Sequence, residues 1–417
     1  MQFKELAVDD FFKFEQQHPA GSYMQTPAQH DVLVQRSWQS QYMGVVDDDG
    51  KILAVELLNH RPMHVGEIFE VAGGPLIDYT DAALVKFLAD ETAKYARAHK
   101  GLVLRWLPNG HTRAFGDDGQ VVKEFDQSFI TNLQAAGFKY QASKPVVHGE
   151  YSKVSLGYEF MKDLRGLTAE TLEKSYTHDA QYGIKKTQQF GVKLRQLDYD
   201  ELAEFKEYTD ATAERRGFSD KTLDYYQKTF RAYGDAVQFI FAELNFSDYI
   251  NEEQQKHDAL NDQIAPLAEK VANSPKNKRA AKQLNELKDQ QKQHEKRIAD
   301  ADKQRTKYGE SVVLSGGMFF IQPQEIAYMF SFTNEAFKRY YAPYLIQNHM
   351  MHLAIEKGIP SYNFYGVTGL FDGTDGVLKF KQSFNGLTYE TAGVFTRPVR
   401  PMMYKLVQGL KKLTGRD

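Results

Sequence analysis

The sequence contains no cysteine and carries no strong net charge. The absence of cysteine among 417 residues excludes disulfide bonds, thiolate metal sites and a cysteine nucleophile, and it is compatible with a reducing cytosol. The formal net charge is only -3 at pH 7. Contact with a polyanion must therefore come from local basic patches, because the protein as a whole does not attract one.

Long hydrophobic runs are also missing. Nowhere do about eighteen apolar residues follow one another, so no segment is predicted to span a membrane. The first residues become polar and acidic within a few positions, unlike a secretory signal peptide. We therefore expect a cytoplasmic protein, with peripheral contact to the inner face of the cell membrane as an open alternative.

The common catalytic fingerprints are absent as well. The sequence shows no P-loop of the form GxxxxGK[ST], no GxGxxG nucleotide fingerprint, no HExxH metal helix and no Ser-His-Asp spacing. His257 and His294 fall on a predicted helical contact line, but no third ligand lies near them, so we expect no metal site. We expect no cofactor.

Patterns of both helices and strands are present throughout. Hydrophobic residues make up 42% and aromatic residues 13% of the chain, which is enough for two cores at this length. An amphipathic helix is predicted over 81–100 and a buried strand over 101–106. The alternation predicts an α/β fold with a first domain at 1–145 and a second at 146–245 and 309–395.

The stretch 311–385 has the most distinctive pattern. A buried strand is predicted over 312–321, and the pair Gly316 and Gly317 inside it marks a place where a ligand or another backbone comes close. Both glycines are therefore candidate substrate-binding residues. A predicted helix ends at Gly358, and the segments 363–369 (NFYGVTG) and 376–385 (GVLKFKQSFN) follow. The second segment is predicted as a strand, and Lys381 rather than Lys379 is expected to face the site.

Residues 246–308 differ from the rest in composition, since they are charged, rich in glutamine and poor in aromatic residues. Apolar positions recur there at intervals of three and four on both sides of a breaker at 273–275, which predicts an antiparallel coiled-coil hairpin. Pro266 is expected to kink its first helix. The predicted turn is basic, so it could follow an RNA backbone or dock a protein, and its cations are Lys276, Lys278, Arg279 and Lys282.

The C-terminal tail, 396–417, contains a short basic amphipathic helix over 402–412. We expect this tail to pack on the first domain. The alternative is contact with an anionic membrane surface, which such a helix also suits.

Several motifs together resemble the Fem family of peptidoglycan aminoacyltransferases. The resemblance lies in NFYGVTG and GVLKFKQSFN, in 214–218 (ERRGF), in 185–192 (KKTQQFGV) and in an early glutamine–threonine pair, Gln25 and Thr26. It covers nearly the whole chain. It implies two acetyltransferase-like (GNAT-type) domains with the coiled-coil hairpin inserted in the second.

The resemblance also implies roles for particular residues. Phe380 and Lys381 would lie at the reacting centre, and the hairpin would bind tRNA. The implied substrate-binding residues are Arg36, Lys221, Tyr225 and Tyr365, in addition to the two glycines. Lys221 and Tyr225 are four residues apart, which would put them on one helix face. At Leu107 the sequence departs from the family, which usually has an aspartate there.

The implied reaction moves an amino acid from aminoacyl-tRNA to the stem-peptide amine of a peptidoglycan precursor, lipid II, and so builds the interpeptide bridge. The aminoacyl ester is already activated, so the enzyme has to supply alignment and stabilisation of the developing oxyanion. The expected partners are aminoacyl-tRNA and lipid II, with a second copy of the chain or a sister Fem-type transferase left open. The alternatives are a CoA-dependent N-acyltransferase and a coiled-coil adaptor for RNA or protein.

Overall fold

The computed structural model describes residues 1–146 and 157–414, with the side chains of 411–414 excepted, so the end of the predicted tail lies outside the described residues. The described part holds two mixed β-sheets flanked by helices. The strands, in chain order, are β1 (Gln2–Glu5), β2 (Gln39–Val46), β3 (Ile52–Pro62), β4 (Glu67–Ala72), β5 (Gly101–Leu107), β6 (His111–Phe115), β7 (Val121–Glu124), β8 (Lys139–Gln141), β9 (Tyr158–Asp163), β10 (Lys193–Gln196), β11 (Val237–Asn245), β12 (Ser311–Ile321), β13 (Ile326–Thr333), β14 (Ser361–Val367), β15 (Leu387–Thr391) and β16 (Val394–Pro398).

The helices alternate with these strands, as the sequence predicts for an α/β protein. In chain order they are α1 (Val8–Gln17), α2 (Pro27–Val34), α3 (Ala82–Ala98), α4 (Ser128–Ala135), α5 (Ala169–Leu172), α6 (His178–Gln189), α7 (Leu202–Arg216), α8 (Leu223–Tyr233), α9 (Phe246–Asn273), α10 (Lys278–Tyr308), α11 (Ala342–Glu356), α12 (Gly376–Gln382) and α13 (Pro401–Thr414). Among the described residues, none of these helices is long and apolar enough to cross a membrane.

The first sheet has the order β1-β2-β3-β4-β5-β16-β8. Helices α3 and α4 cover one of its faces, where Leu88 and Leu133 join a core built around Trp106. Phe11 of α1 is buried in a separate apolar cluster with side chains of β2 and β3. Asp81 accepts hydrogen bonds from the first free N–H groups of α3, which explains why that helix begins where it does.

The second sheet has the order β10-β11-β12-β13-β14-β9-β15-β6-β7. Helices α6 and α11 supply Ile184 and Met350 to one core, while α7 and α8 supply Phe205 and Tyr226 to a second. The strand predicted over 312–321 is confirmed as β12, the third of the nine strands, paired on both sides. Buried aromatic side chains dominate its surroundings, and each fully buried one contributes about 1.5–3 kcal/mol.

Sheet membership crosses the predicted domain boundaries in two places. Strands β6 and β7 precede residue 145, yet they form the far edge of the second sheet because β6 pairs with β15. Arg113 of β6 binds Glu390 of β15 through two hydrogen bonds of 2.8 and 2.9 Å. Strand β16 spans the predicted boundary at 395 between the second domain and the tail, and it belongs to the first sheet, where it pairs with β5.

Helices α9 and α10 form a helical arm that leaves the second sheet at the end of β11 and returns at the start of β12. Gln291 donates to Asn261 and His294 contacts Glu253, so later residues of one helix meet earlier residues of the other and the helices run antiparallel. Their junction at 274–277 agrees with the predicted breaker. Pro266 lies inside α9, and the kink expected there stays a prediction.

Candidate active site

The candidate site begins where two parallel strands separate. Strands β13 and β14 pair at two positions, Ile326 with Tyr362 and Ala327 with Asn363, whereas the parallel strands β4 and β5 of the first sheet pair at six. Beyond Ala327, β13 continues as a half-buried segment, 328–331. Separated strands leave main-chain N–H and C=O groups that need other partners. The opening between β13 and β14 is therefore a natural place for polar side chains and a ligand.

Lys381 lies against the carbonyl oxygens of β14. Its ammonium donates to the carbonyl oxygens of Tyr365, at 3.1 Å, and Gly366, at 2.7 Å, and the residue is only 5% exposed. Burial lowers the pKa of Lys381 to about 7, and the Arg216 cation acts in the same direction, while Asp375 and Glu159 oppose the shift. A buried amine that can gain or lose a proton near neutral pH is typical of a functional site.

The prediction that 376–385 forms a strand is wrong. Residues Gly376–Gln382 form α12, which begins at Asp375, whose carboxylate accepts from the N–H groups of Val377 and Leu378. Residues two apart share a face of a strand but lie on different sides of a helix, so the helix and not a strand explains why Lys379 is exposed and Lys381 is buried. The capping aspartate was the sequence signal for a helix.

Phe380 does not face the same carbonyl groups as Lys381. Its ring packs against Tyr344 of α11 at 4.9 Å and against Phe384 at 5.5 Å, measured between ring centroids. The structure therefore gives Phe380 a packing role that fixes α12 on α11. Its contact with substrate stays a prediction.

Two carboxylates share one amide beside this lysine. Asn363 of β14 donates to Glu159 of β9 at 3.0 Å and to Glu325, in the turn before β13, at 3.1 Å. His111 of β6 binds the other oxygen of Glu159. Burial opposes the ionisation of Glu159, but hydrogen bonds from His111 and Asn363 outweigh it and lower its pKa. Burial and the charge of Glu159 raise the pKa of Glu325 to about 7.

Tyr365 joins this group to the N-terminal part of the chain. Its backbone has a left-handed φ of 62°, held by a hydrogen bond from its N–H to the side-chain oxygen of Asn363 at 2.7 Å. Its hydroxyl lies 3.0 Å from that of Tyr23, which stacks on Phe320. Burial raises the pKa of Tyr365, and the nearby charges of Glu159 and Glu325 add to the shift.

Arg36, Lys221 and Tyr225, predicted from distant parts of the sequence, come together. The Arg36 guanidinium lies 5.3 Å and the Lys221 ammonium 5.6 Å from the centre of the Tyr225 ring, and both side chains are exposed. One detail of the prediction is wrong, because α8 begins at Leu223 after the cap Thr222 and Lys221 precedes the helix. Its flexible side chain reaches the ring nonetheless.

Gly316 and Gly317 lie in the middle of β12, where aromatic rings occupy the space beside them. A Cβ atom on Gly316 would lie 2.5 Å from the ring of Phe332, and one on Gly317 would lie 2.9 Å from the rings of Phe319 and Tyr328. The glycines therefore make room for side chains of the protein itself. Adding a methyl group there would cost about 1–3 kcal/mol through overpacking, and contact of either glycine with substrate stays a prediction.

Sequence reasoning did not identify Glu159, Glu325, His111 and Arg216 as site residues. The first three come from separate strands and a turn that only the order β13-β14-β9-β15-β6 brings together. Arg216, the last residue of α7, lies close enough to lower the pKa of Lys381. It belongs to the ERRGF segment, so that motif was an available signal.

The early glutamine–threonine motif supports the fold of the first sheet, and Leu107 lies at the end of one of its strands. The Gln25 side chain donates to the carbonyl oxygen of Ala72 at 2.7 Å and accepts from the N–H of Leu57 at 2.8 Å, which connects β3 and β4. Thr26 caps α2. Leu107 is the last residue of β5 and supplies no carboxylate.

The four predicted tRNA contacts, Lys276, Lys278, Arg279 and Lys282, lie at or next to the turn of the arm and are exposed. Of these residues, Lys282 has a loose ion pair with Glu286 at 3.9 Å. Further down the arm, the buried carboxylate of Glu253 accepts from Lys256, His294 and Arg297 at 3.0, 2.8 and 3.2 Å. His294 thus serves an ion-pair network that holds the two helices together.

The fold and the site together define a two-sheet α/β protein with a buried lysine at the opening between parallel strands. A family model described as the FemAB family matches residues 6–412, so the chain belongs to the FemAB family. Proteins named aminoacyltransferase FemA from Staphylococcus aureus strains bovine RF122 / ET3-1 and N315 are each 29% identical to it over 422 residues, covering 100% of both chains. The crystal structure of FemX has the same fold, with a TM-score of 0.81 at 20% identity, and covers 98% of this chain and 100% of that one.

Proposed function

We propose that the protein is an aminoacyltransferase that moves an amino acid from aminoacyl-tRNA to the stem-peptide amine of the peptidoglycan precursor lipid II. The observation that carries this proposal is the position of Lys381, a buried amine against the open edge of β14. Membership of the FemAB family and likeness to proteins named as aminoacyltransferases support it. The reaction contributes to the interpeptide bridge of the cell wall.

Lys381 supplies a positive charge where negative charge develops. When the amine attacks the aminoacyl ester, the carbonyl oxygen becomes an oxyanion, and a preorganised cation in a water-poor site stabilises it. The protonated form of Lys381 is the active one in this role. The carbonyl oxygens of Tyr365 and Gly366 hold the ammonium in place before substrate arrives.

Arg36, Lys221 and Tyr225 bind the diphosphate of the precursor. Two exposed cations over one aromatic ring make a local positive patch on a protein with a net charge of -3. Tyr225 lies close enough to Tyr23 and Tyr365 to affect their pKa values, so the patch lies near the reacting centre. A lipid-linked substrate would thus place its diphosphate at Tyr225 and its peptide near Lys381.

The arm formed by α9 and α10 is a coiled-coil hairpin that contacts tRNA through Lys276, Lys278, Arg279 and Lys282. Their exposure at the turn supports this role, since phosphate contacts need accessible cations. The arm is an insertion between the halves of the second acetyltransferase-like unit. Phe246 donates to the carbonyl oxygen of Glu310 at 2.9 Å, so the arm leaves and re-enters that unit at one point.

The tail helix α13 contacts the membrane that carries the lipid-linked substrate. Met402, Met403 and Leu406 are 84%, 43% and 69% exposed, and Lys405 is exposed beside them. An apolar helix face next to cations suits an anionic lipid surface. The start of the tail packs on the first sheet, because β16 pairs with β5 and the N–H of Val399 donates to the carbonyl oxygen of Leu102 at 3.0 Å.

The experiment that tests the proposed function offers lipid II together with tRNA charged separately with radiolabelled glycine, alanine or serine. Label should appear in the lipid fraction with at least one of them. Radiolabelled acetyl-CoA serves as the matched donor control and should label nothing. Labelling by acetyl-CoA alone would replace the proposal with the CoA-dependent alternative, and labelling by no donor would overturn the transferase assignment.

A further inference from the structure

The amide of Asn363 fixes two carboxylates at the point where β13 and β14 separate. Its two N–H bonds point at Glu159 and Glu325, at 3.0 and 3.1 Å. Its oxygen accepts from the N–H of Tyr365 at 2.7 Å, so the amide cannot turn over without losing that bond. The pair is therefore built into the fold, with Glu159 on β9 and Glu325 in the turn that leads into β13, the two neighbours of β14.

The two carboxylates have different proton affinities. His111 binds Glu159 and favours its ionised form. Partial burial and the charge of Glu159 facing it raise the pKa of Glu325 to about 7. Asn363 and the charge of His111 act on Glu325 in the opposite direction, and Tyr365 lies close enough to feel its charge. Glu325 is thus the member of the pair that exchanges a proton near neutral pH.

This pair lies next to the reacting centre described above. Glu159 is close enough to Lys381 to raise its pKa, and Glu325 is close enough to Tyr365 to do the same. A substrate in the opening between β13 and β14 would therefore meet a cation on the side of α12 and a proton acceptor on the side of the β12–β13 turn. Those are the two groups that aminolysis of an ester requires.

We propose that Glu325, held beside Glu159 by Asn363, is the catalytic base that takes the proton from the attacking ammonium group of the acceptor, an assignment that rests on the proposed aminoacyl transfer. Ionised Glu325 accepts one proton from the R–NH₃⁺ group, and the resulting amine forms a C–N bond to the ester carbonyl carbon. The adduct loses its second nitrogen proton to the ribose oxygen as the C–O bond breaks. Glu325 then releases its proton to solvent, so amide, free tRNA hydroxyl and one H⁺ balance the reaction.

The test compares the wild type with Glu325→Gln, which keeps an oxygen for the Asn363 amide but cannot accept a proton. Single-turnover transfer from the charged tRNA that the wild type uses is measured between pH 5.5 and 8.5. The wild type should give a bell-shaped profile near pH 7, in which ionisation of Glu325 gives the rising limb and deprotonation of Lys381 the falling limb. Glu325→Gln should lose the rising limb, and its transfer rate should be lower than that of the wild type by a factor of about 10²–10⁴.

Two further variants separate chemistry from structure. Glu310→Gln removes an exposed carboxylate at the other end of β12 and should behave as wild type. Glu325→Asp keeps the ionisable group and should retain the rising limb at a reduced rate, which a purely structural role would not require. If the wild type transfers and Glu325→Gln keeps its rate and rising limb, or if Glu325→Asp loses that limb, Glu325 is not the base and the proposed function stands. If the wild type transfers from no charged tRNA, the proposed function itself fails, and this assignment with it.

Discussion

The ammonium group of Lys381 lies 2.7 Å from the carbonyl oxygen of Gly366, in the strand whose parallel neighbour has already separated from it. Residues 366 and 381 are connected by a turn and α12, so this contact depends on the helix rather than on strand pairing. It places a buried cation at the opening of the second sheet. The first prediction follows directly from it.

Lys381→Ala should reduce aminoacyl transfer by about 10²–10³, because one stabilising group for the oxyanion is lost. Lys379→Ala is the matched control on the same helix. Its side chain is exposed, so its rate should stay within about twofold of the wild type. Rates are measured with radiolabelled aminoacyl-tRNA, and thermal melting checks that both variants fold. Equal, mild effects of the two substitutions would remove Lys381 from the reacting centre.

Arg36→Ala and Lys221→Ala should each raise the KM for the lipid-linked precursor by about tenfold or more, since a hydrogen bond to a charged group contributes about 1.5–3 kcal/mol. The turnover number and the KM for tRNA should change little. Lys13→Ala, at another exposed position, is the control. A soluble acceptor peptide without diphosphate should not distinguish the variants from the wild type, and a defect with that peptide would contradict a diphosphate role.

Replacing Lys276, Lys278, Arg279 and Lys282 together by glutamine should weaken tRNA binding and flatten its dependence on salt, because fewer counterions are released. The control changes the same number of exposed charges along α10, at Lys288, Lys292, Lys296 and Lys303. Affinity is measured by filter binding at several salt concentrations. If both sets act alike, the turn has no particular role in binding RNA.

The tail helix should bind vesicles that contain anionic phosphatidylglycerol. Changing Met402 and Leu406 to serine should reduce cosedimentation with them severalfold, because both side chains are exposed and apolar. Val121 and Val122, which are 44% and 56% exposed on β7, provide a control of the same type. Vesicle binding that survives the tail substitutions would place the membrane contact elsewhere or exclude one.

The buried carboxyl group of Glu56 should make the free energy of unfolding depend on pH. It is fully buried, one of its oxygens accepts from Thr92 and the other has no hydrogen-bond partner, and burial raises its pKa to about 8. The folded state therefore favours the neutral acid. This preference stabilises the fold fully below about pH 4.5, and the stabilisation is lost as the pH rises towards 8.

Glu56→Gln mimics the neutral form at every pH. Its free energy of unfolding should exceed that of the wild type by a margin that grows between about pH 4.5 and 8 and then levels off, on the order of a few kcal/mol. Urea titrations at several pH values measure this margin. A margin that does not change with pH would mean that Glu56 titrates normally.

The sequence alone determined the α/β class, the buried strand β12, the exposed basic turn of the arm and the likeness to a known family. Those features depend on local periodicity, caps and breakers, which neighbouring residues carry. The error at α12 had the same local origin, because alternating Lys379, Phe380 and Lys381 satisfies both a strand and one turn of helix. The cap at Asp375 was the feature that separated the two interpretations.

Only the tertiary structure decided the composition of the site. Glu159, Glu325 and Asn363 are separated by up to 204 residues in the chain, and no local pattern connects them. They meet because β14 lies between β13 and β9 in the sheet, an order set by long-range packing of buried side chains. The same holds for Arg36 and Lys221. Both cations lie near the Tyr225 ring only because α2 and α8 lie side by side. Burial in that assembly, and not residue type, also sets the pKa values of Lys381 and Glu325 near neutrality.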